Sequence, residues 1–372
     1  MSTFADTFFK LNPDSLSLSL YSATATDVER ALRNPAGDLN SLMALLSPAA
    51  MAYLEPMAQQ AAAITRQRFG ANVGLFVPLY VSNLCANECD YCGFSMSNKV
   101  KRKTLNQDEL IQEIAIIKAR GFDSVLLVSG EHETKVGPSY FEAIMPLVKA
   151  HFNHVAIEIQ PLETPEYQLL AKLGVDAVMV YQETYRTQTY AKHHTRGKKQ
   201  DFINRLTTPD RVAKAGIDKI GLGVLLGLDD WRLDALLMAH HLDYLEKNYW
   251  RCRYSISLPR LRPCTGGIKP KVELSDAGLV QMICAFRLFN PQLEISLSTR
   301  ELPHLRDNLL PLGITHISAG SSTQPGGYQH PQTELDQFEI SDERSVDQVV
   351  SALKQRGFNP LWKDWEGAWL TS

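Results

Sequence analysis

The chain has 372 residues, 44% of them hydrophobic, enough for a sizeable core and too many for a disordered chain. Its 38 basic and 41 acidic residues leave a formal net charge of −3, which argues against a protein whose main task is gripping nucleic acid. Six cysteines are too sparse for a disulfide scaffold, and no apolar run approaches the roughly 20 residues that cross a bilayer.

Met1 to Asp6 lack the pattern of a secretory signal, so no membrane association and a cytoplasmic location are expected. The first seventy residues read as an N-terminal helical extension, placed at 1–70. Thr26 and Glu29 have capping-box spacing before Val28, Ala31 and Leu32. Asp38 to Leu46 predicts a short helix, and Met51 to Phe69 a longer one stopped by Gly70. Short apolar segments then alternate with amphipathic ones. They are Val73–Tyr80, Ser124–Val128, His154–Ile159, Ala177–Tyr181, Lys219–Val224, Arg253–Ser257, Glu294–Ser298 and His316–Ala319. Their lengths and β-branched content suit buried parallel strands. Between them, Asn106 is an N-cap ahead of Glu109, with Gly121 closing that helix. Thr164 and Pro165 start another, which Gly174 ends, and Ser275 to Phe289 is apolar at Leu279, Ile283 and Phe286. The fold class is α/β. Eight strands alternating with helices predict a (β/α)8 TIM-type barrel, placed at 71–322, although a doubly wound open sheet can be drawn from the same segments. Residues 323–372 are expected to pack on the barrel. There Trp362, Trp365 and Trp369 have helical spacing, as a capping helix or a partner surface would.

Cys85, Cys89 and Cys92 form Cys-x3-Cys-x2-Cys directly after the first strand, where a barrel places its active-site loops. Three thiolates on one loop can hold three irons of a four-iron cluster and leave the fourth open to a small molecule. Structural zinc usually takes four ligands in separated pairs, and no second cysteine pair exists, although a distant His can complete a zinc site. Cys252, Cys264 and Cys284 are scattered and read as core or inert.

The triplet resembles the cluster motif of radical S-adenosylmethionine (SAM) enzymes. The wider chain is similar to the 2-iminoacetate synthase family, the tyrosine lyases of thiamine thiazole biosynthesis. The likeness runs almost end to end, through Tyr-Cys-Gly-Phe-Ser-Met-Ser-Asn (91–98), Gln-Glu-Thr-Tyr (182–185), Gly-Lys-Lys-Gln-Asp-Phe (197–202), Arg-Leu-Arg-Pro-Cys-Thr-Gly-Gly (260–267), Leu-Ser-Thr-Arg-Glu (297–301) and Gln-Pro-Gly-Gly-Tyr (324–328).

The resemblance implies a radical SAM barrel, a [4Fe-4S] cluster on Cys85, Cys89 and Cys92, and S-adenosyl-L-methionine chelating the open iron. It sets Tyr91 near the adenine and matches Ser129, Gly130 and Glu131 to a Gly-Gly-Glu motif that receives the SAM amino group; the first Gly is Ser here. Glu158 and Gln160, after the third strand, and Glu183, after the fourth, belong to the same side, Glu158 suiting ribose hydroxyls. Gly221 and Gly223 would let adenine approach, or serve packing alone. Arg300 is expected to grip the substrate carboxylate, assisted by Ser318 and Ser321, with Arg260 and Arg262 as competitors. The polar setting of His193 and His194 reads as surface or loop, with Lys192 beside them a candidate for the SAM carboxylate.

The implied reaction reduces SAM to methionine and a 5′-deoxyadenosyl radical, which takes a hydrogen from L-tyrosine. Cα–Cβ cleavage then gives 2-iminoacetate and p-cresol. A HydG-like tyrosine lyase is the nearest alternative, but it carries a second cluster on C-terminal cysteines. Here the last cysteine is Cys284, leaving 372 − 284 = 88 residues without one. A non-enzymatic zinc or iron–sulfur binding protein is the other alternative. Thiazole synthase (ThiG) is the partner the family implies. The basic run from Asn98 to Lys103 reads as a solvated face or a dock for a flavodoxin-type electron donor.

Overall fold

A computed structural model of the chain describes residues 3–35 and 37–363. Its centre is eight strands: β1 (Asn72–Ser82), β2 (Ser124–Ser129), β3 (His154–Glu158), β4 (Ala177–Glu183), β5 (Lys219–Val224), β6 (Arg253–Ser257), β7 (Glu294–Leu297) and β8 (His316–Ser318). Neighbouring strands are all parallel, and β8 pairs back onto β1 through Gly74–His316, Leu75–Ile317 and Phe76–Ser318. That pairing closes the barrel and removes the open-sheet alternative. Each strand overlaps its predicted segment. Outward side chains meet helices and inward ones fill the barrel, so β5 is buried at every position and its sequence is a continuous run rather than an alternation. Closure also sends the loops that follow all eight strands to one rim.

Among the described residues, five α-helices and one 3-10 helix between Phe4 and Phe69 precede the barrel. They pack on the helices Trp231–Asn248 and Asp276–Phe289 of the outer ring. Phe4 stacks on His241 at 4.0 Å. Buried Gln281 donates its amide to the carbonyls of Leu45 and Ser47, at 2.8 Å each. The capping box lies two residues earlier than expected, on Thr24 and Asp27, because Thr26 is already inside the helix Ala25–Arg33. The helix expected from Met51 opens as a 3-10 turn, Pro48–Tyr53, and becomes α only at Leu54. Pro56 is the reason: it has no N–H for a bond back to residue 52, but in the first turn of a helix none is needed.

Two features went unread. Glu88–Cys89 and His194–Arg196 form an antiparallel ribbon, each strand too short to carry a periodicity. After the helix Val346–Gln355 the chain turns at left-handed Gly357 (φ 76°), and Asn359–Leu361 pairs with the start of β1. Trp362 therefore follows a strand instead of lying on a helix, and its indole packs on Phe122 at 5.5 Å. Trp365 and Trp369 lie outside the described residues. No helix among the described residues is long and apolar enough to cross a membrane.

Replacing Gln281 by Leu strands two buried carbonyls. The variant is expected to lose roughly 2–4 kcal/mol in urea unfolding, and its N-terminal helices to become the first protease target.

Candidate active site

The cysteine loop leaves the end of β1 and is held in shape by the chain itself. Arg102 donates to four of its carbonyls: Asn83 (2.9 Å), Phe94 (2.9 Å), Ser95 (2.6 Å) and Asn98 (3.2 Å). The Gly130 N–H bonds the Ser82 carbonyl at 2.8 Å, and the Ala86 N–H bonds that of Glu131 at 2.8 Å. A Cβ on Gly130 would fall 2.4 Å from the Leu84 carbonyl oxygen, so this crossing of loop and strand end requires glycine. All three thiols line one cavity in the barrel, Cys89 buried and the other two partly open to it. Burial raises all three thiol pKa values, to about 11 at Cys85. Lys199 offsets part of this at Cys89 and Cys92. Their thiolates therefore need a bound cation. Among the described residues no three His, Cys, Asp or Glu side chains are disposed to hold a single metal ion. Three soft sulfurs on one wall fit a cluster held through three of its irons.

Beside the thiols lie paired charges. Glu131 meets Arg205 at 3.0 Å and accepts from the Asn87 amide at 2.7 Å. Burial works against its charge, but Arg205 and Lys199 prevail and hold its pKa below the usual range. Glu183 is balanced in the same way: Lys199, at 2.7 Å, outweighs burial. Among the described residues Glu183 is the one non-glycine residue with positive φ, 68°, at a register break where β4 meets β5. Such backbone costs of order 1–3 kcal/mol and persists where the surroundings over-determine it.

Other groups that line the cavity lack hydrogen bonds and ion pairs to side chains among the described residues. Arg300, three residues beyond β7, has no acidic partner among the described residues. It donates to the Arg260 carbonyl at 3.3 Å and lies over the Phe338 ring at 3.5 Å. Burial lowers its pKa. Glu158, at the end of β3, makes no hydrogen bond or ion pair with any described residue. Burial, then the nearby charge of Glu183, pushes its pKa up to about 7. The hydroxyls of Ser129, Ser318 and Ser321 are buried and unpartnered, and all three residues line the cavity. An unsatisfied buried polar group costs about 1–3 kcal/mol, so the cavity wall is built for a polar ligand. Its space totals about 1730 Å3, mouth included.

Cys85, Cys89, Cys92, Tyr91, Ser129, Gly130, Glu131, Glu158, Glu183, Arg300, Ser318 and Ser321 thus share one cavity, which Gln160, Gly221 and Gly223 do not line. Gln160 is buried with its Oε1 unpartnered. A Cβ on Gly221 would strike Met179, and one on Gly223 the Tyr181 ring, so both glycines make room for side chains that do face the cavity. Arg260 is occupied by Glu301 and Asp276, and Arg262 lies off the lining with its Nε unpartnered.

Three readings are corrected. His193 and His194 are buried, not surface: His193 faces Asp90 at 2.9 Å, and His194 contacts the Tyr91 hydroxyl at 2.6 Å and the Tyr190 carbonyl at 2.7 Å. The ribbon that sets His194 opposite Cys89 draws them in. Lys192 is exposed, and it is Lys199 that reaches the cavity. The basic run is not wholly a solvated face. Arg102 is consumed by the loop carbonyls and Lys103 pairs with Glu109 at 3.3 Å, leaving Lys99 and Lys101 exposed. Lys199, Arg205, Asn87, Gln337 and Phe338 also line the cavity and were missed. Lys199 stood inside the Gly-Lys-Lys-Gln-Asp-Phe motif.

Comparison with known proteins agrees with this geometry. Residues 79–239 match the model of the Radical SAM superfamily, and residues 257–359 that of the Biotin and Thiamin Synthesis associated domain. The chain is 54% identical to a 2-iminoacetate synthase of Escherichia coli over 98% of its own length and 97% of the relative's. It is 53% identical to that of Salmonella typhimurium, over 100% and 98%. The X-ray structure of the FeFe-hydrogenase maturase HydG from Carboxydothermus hydrogenoformans superposes with a TM-score of 0.85 at 31% identity, covering 96% of this chain and 82% of that one.

The raised pKa of Glu158 has a definite sign. The folded state holds the proton more tightly than the unfolded chain, whose value is 4.5. The cost of burying the charge is full above about pH 7 and is relieved as pH falls toward 4.5. Ligand-free Glu158→Gln should therefore be the more stable protein at pH 8, by on the order of 2–3 kcal/mol. The gap to wild type in chemical denaturation should narrow steadily below pH 7 and close only below pH 4.5.

Proposed function

The chain belongs to the 2-iminoacetate synthase family of radical SAM enzymes, and from that premise we propose how its cavity performs the reaction. It is a radical SAM tyrosine lyase, cleaving the Cα–Cβ bond of L-tyrosine to 2-iminoacetate and p-cresol for the thiazole moiety of thiamine. The family implies SAM and a [4Fe-4S] cluster, which when bound and reduced splits SAM and so supplies the radical that takes a hydrogen atom from the substrate.

The chain's own residues divide the remaining tasks. Cys85, Cys89 and Cys92 hold the cluster. Tyr91, Ser129, Gly130, Glu131, Glu158 and Glu183 form the wall that receives SAM, with Gln160, Gly221 and Gly223 behind it. Lys199 and Arg205 keep Glu183 and Glu131 of that wall ionised. Arg300 takes the tyrosine carboxylate in a bidentate grip, with the Ser318 and Ser321 hydroxyls beside it. One observation carries the reading: a guanidinium without an acidic partner among the described residues opens into the same cavity as the three thiols. The cavity lies inside a closed ring of strands, which limits the directions from which anything but the substrate can meet a radical. Six free cysteines suit the reducing cytoplasm. ThiG, as consumer of the unstable imine, and a flavodoxin-type donor are the partners that fit this chemistry.

Anaerobic incubation with SAM, reductant and tyrosine is expected to give 5′-deoxyadenosine and p-cresol together; deoxyadenosine alone would overturn the substrate. Cys89→Ala should abolish both products. Arg300→Gln should raise the KM for tyrosine by roughly 10- to 100-fold, the scale of losing about 1.4–2.8 kcal/mol, while SAM cleavage without substrate is kept.

Donor docking is tested on the two exposed lysines. Lys99→Ala/Lys101→Ala should slow flavodoxin-driven turnover several-fold and leave dithionite-driven turnover unchanged. Equal slowing of both would remove the docking role.

A further inference from the structure

Two consecutive residues of the segment that returns after β8 face different parts of the cavity. Phe338 lies against the Arg300 guanidinium. Gln337 faces the cysteine loop. Its main-chain carbonyl accepts from the Gly93 N–H at 3.0 Å. A Cβ on Gly93 would come within 2.8 Å of that same oxygen, so the two segments lie in direct contact.

The side chain of Gln337 spans Tyr80 and Cys92. The Tyr80 hydroxyl donates to Oε1 at 2.7 Å, and Nε2 stands 3.7 Å from the Cys92 sulfur. Among the described residues no other side chain donates to any of the three sulfurs. A thiolate offers only lone pairs, so once Cys92 is ionised the amide must turn its NH2 toward the sulfur. Tyr80, packed edge-on against Phe94 at 5.9 Å, then holds the oxygen end. Reduction adds negative charge that spreads over the cluster and its thiolates. An N–H dipole aimed at one of those sulfurs stabilises the reduced form more than the oxidised one.

We propose that Gln337 is a positioning residue that raises the reduction potential of the cluster through a hydrogen bond to the Cys92 thiolate, with Tyr80 fixing the amide in its donating orientation. The proposal rests on Cys92 being a cluster ligand. It places the electron-accepting property of the cluster partly under the control of a segment that also contacts the substrate-binding cation.

The test uses anaerobically reconstituted full-length protein without SAM, poised at the potential where the wild-type cluster is half reduced. The reduced fraction is read by electron paramagnetic resonance on cluster-bearing protein only. In Q337L the ratio of reduced to oxidised cluster should fall about tenfold, equivalent to about 59 mV for a one-electron couple. In Y80F it should fall several-fold in the same direction. Iron and sulfide per chain should stay near wild type, because all three cysteines remain. An unchanged ratio in both variants overturns the role of Gln337. A wild-type protein that takes up no cluster refutes instead the cysteine assignment beneath it.

Discussion

One buried carboxylate ties together segments that are distant in the chain. Glu131 ends the turn after β2, accepts Asn87 from the cysteine loop and pairs with Arg205 from the helix Phe202–Leu206. Its main-chain carbonyl holds the N–H of Ala86, beside the first cysteine. Leaving such a charge buried without a partner costs about 3–5 kcal/mol, so all these groups must arrive together. Asn87 in turn accepts the Lys199 N–H at 3.0 Å, and Arg205 donates to the Tyr181 carbonyl at 2.7 Å. The cysteine loop, the ends of β2 and β4, and residues 197–205 therefore form a single polar unit. The placement of each thiol depends on it.

The cavity is electrically lopsided as a result. On the thiol side every carboxylate has met a cation: Glu131 with Arg205, Glu183 with Lys199. Arg300 and Glu158 have no such partner among the described residues, and three serine hydroxyls in the same cavity stand idle. The paired groups hold the frame. In the proposed function the unpaired ones receive a zwitterionic ligand, which brings the missing charges and hydrogen bonds. On that reading substrate and cofactor complete an interior that the described chain leaves polar and unsatisfied, which favours occupancy over an empty cavity.

Much of this was legible in the sequence, and the reasons differ by residue. The eight strands were visible because barrel strands are buried on both faces and read as short apolar runs. The cysteines were visible because their spacing encodes one loop. Arg300 and the serines were visible through the family likeness. Lys199, Arg205 and Asn87 were not, since each works through partners that only the closed fold brings near. Arg102 sat in a basic run and looked solvated, yet carbonyls on its own loop draw it inward. His194 looked polar and loose until a ribbon of a few residues set it beside Cys89. Pro56 did carry a readable signal, because a proline five residues into a supposed helix moves the start of that helix.

The four-carbonyl grip of Arg102 bears on durability. Its hydrogen bonds involve main-chain oxygens and none of the sulfurs, so this support for the loop does not draw on the thiols. Iron–sulfur centres of this type are stripped by oxygen. A chain whose cradle survived only while filled would have to reorder the loop at each repair, at roughly 1–2 kcal/mol of backbone entropy per residue. A loop already shaped by its own main chain asks for less of that ordering when the cluster implied by the family enters it.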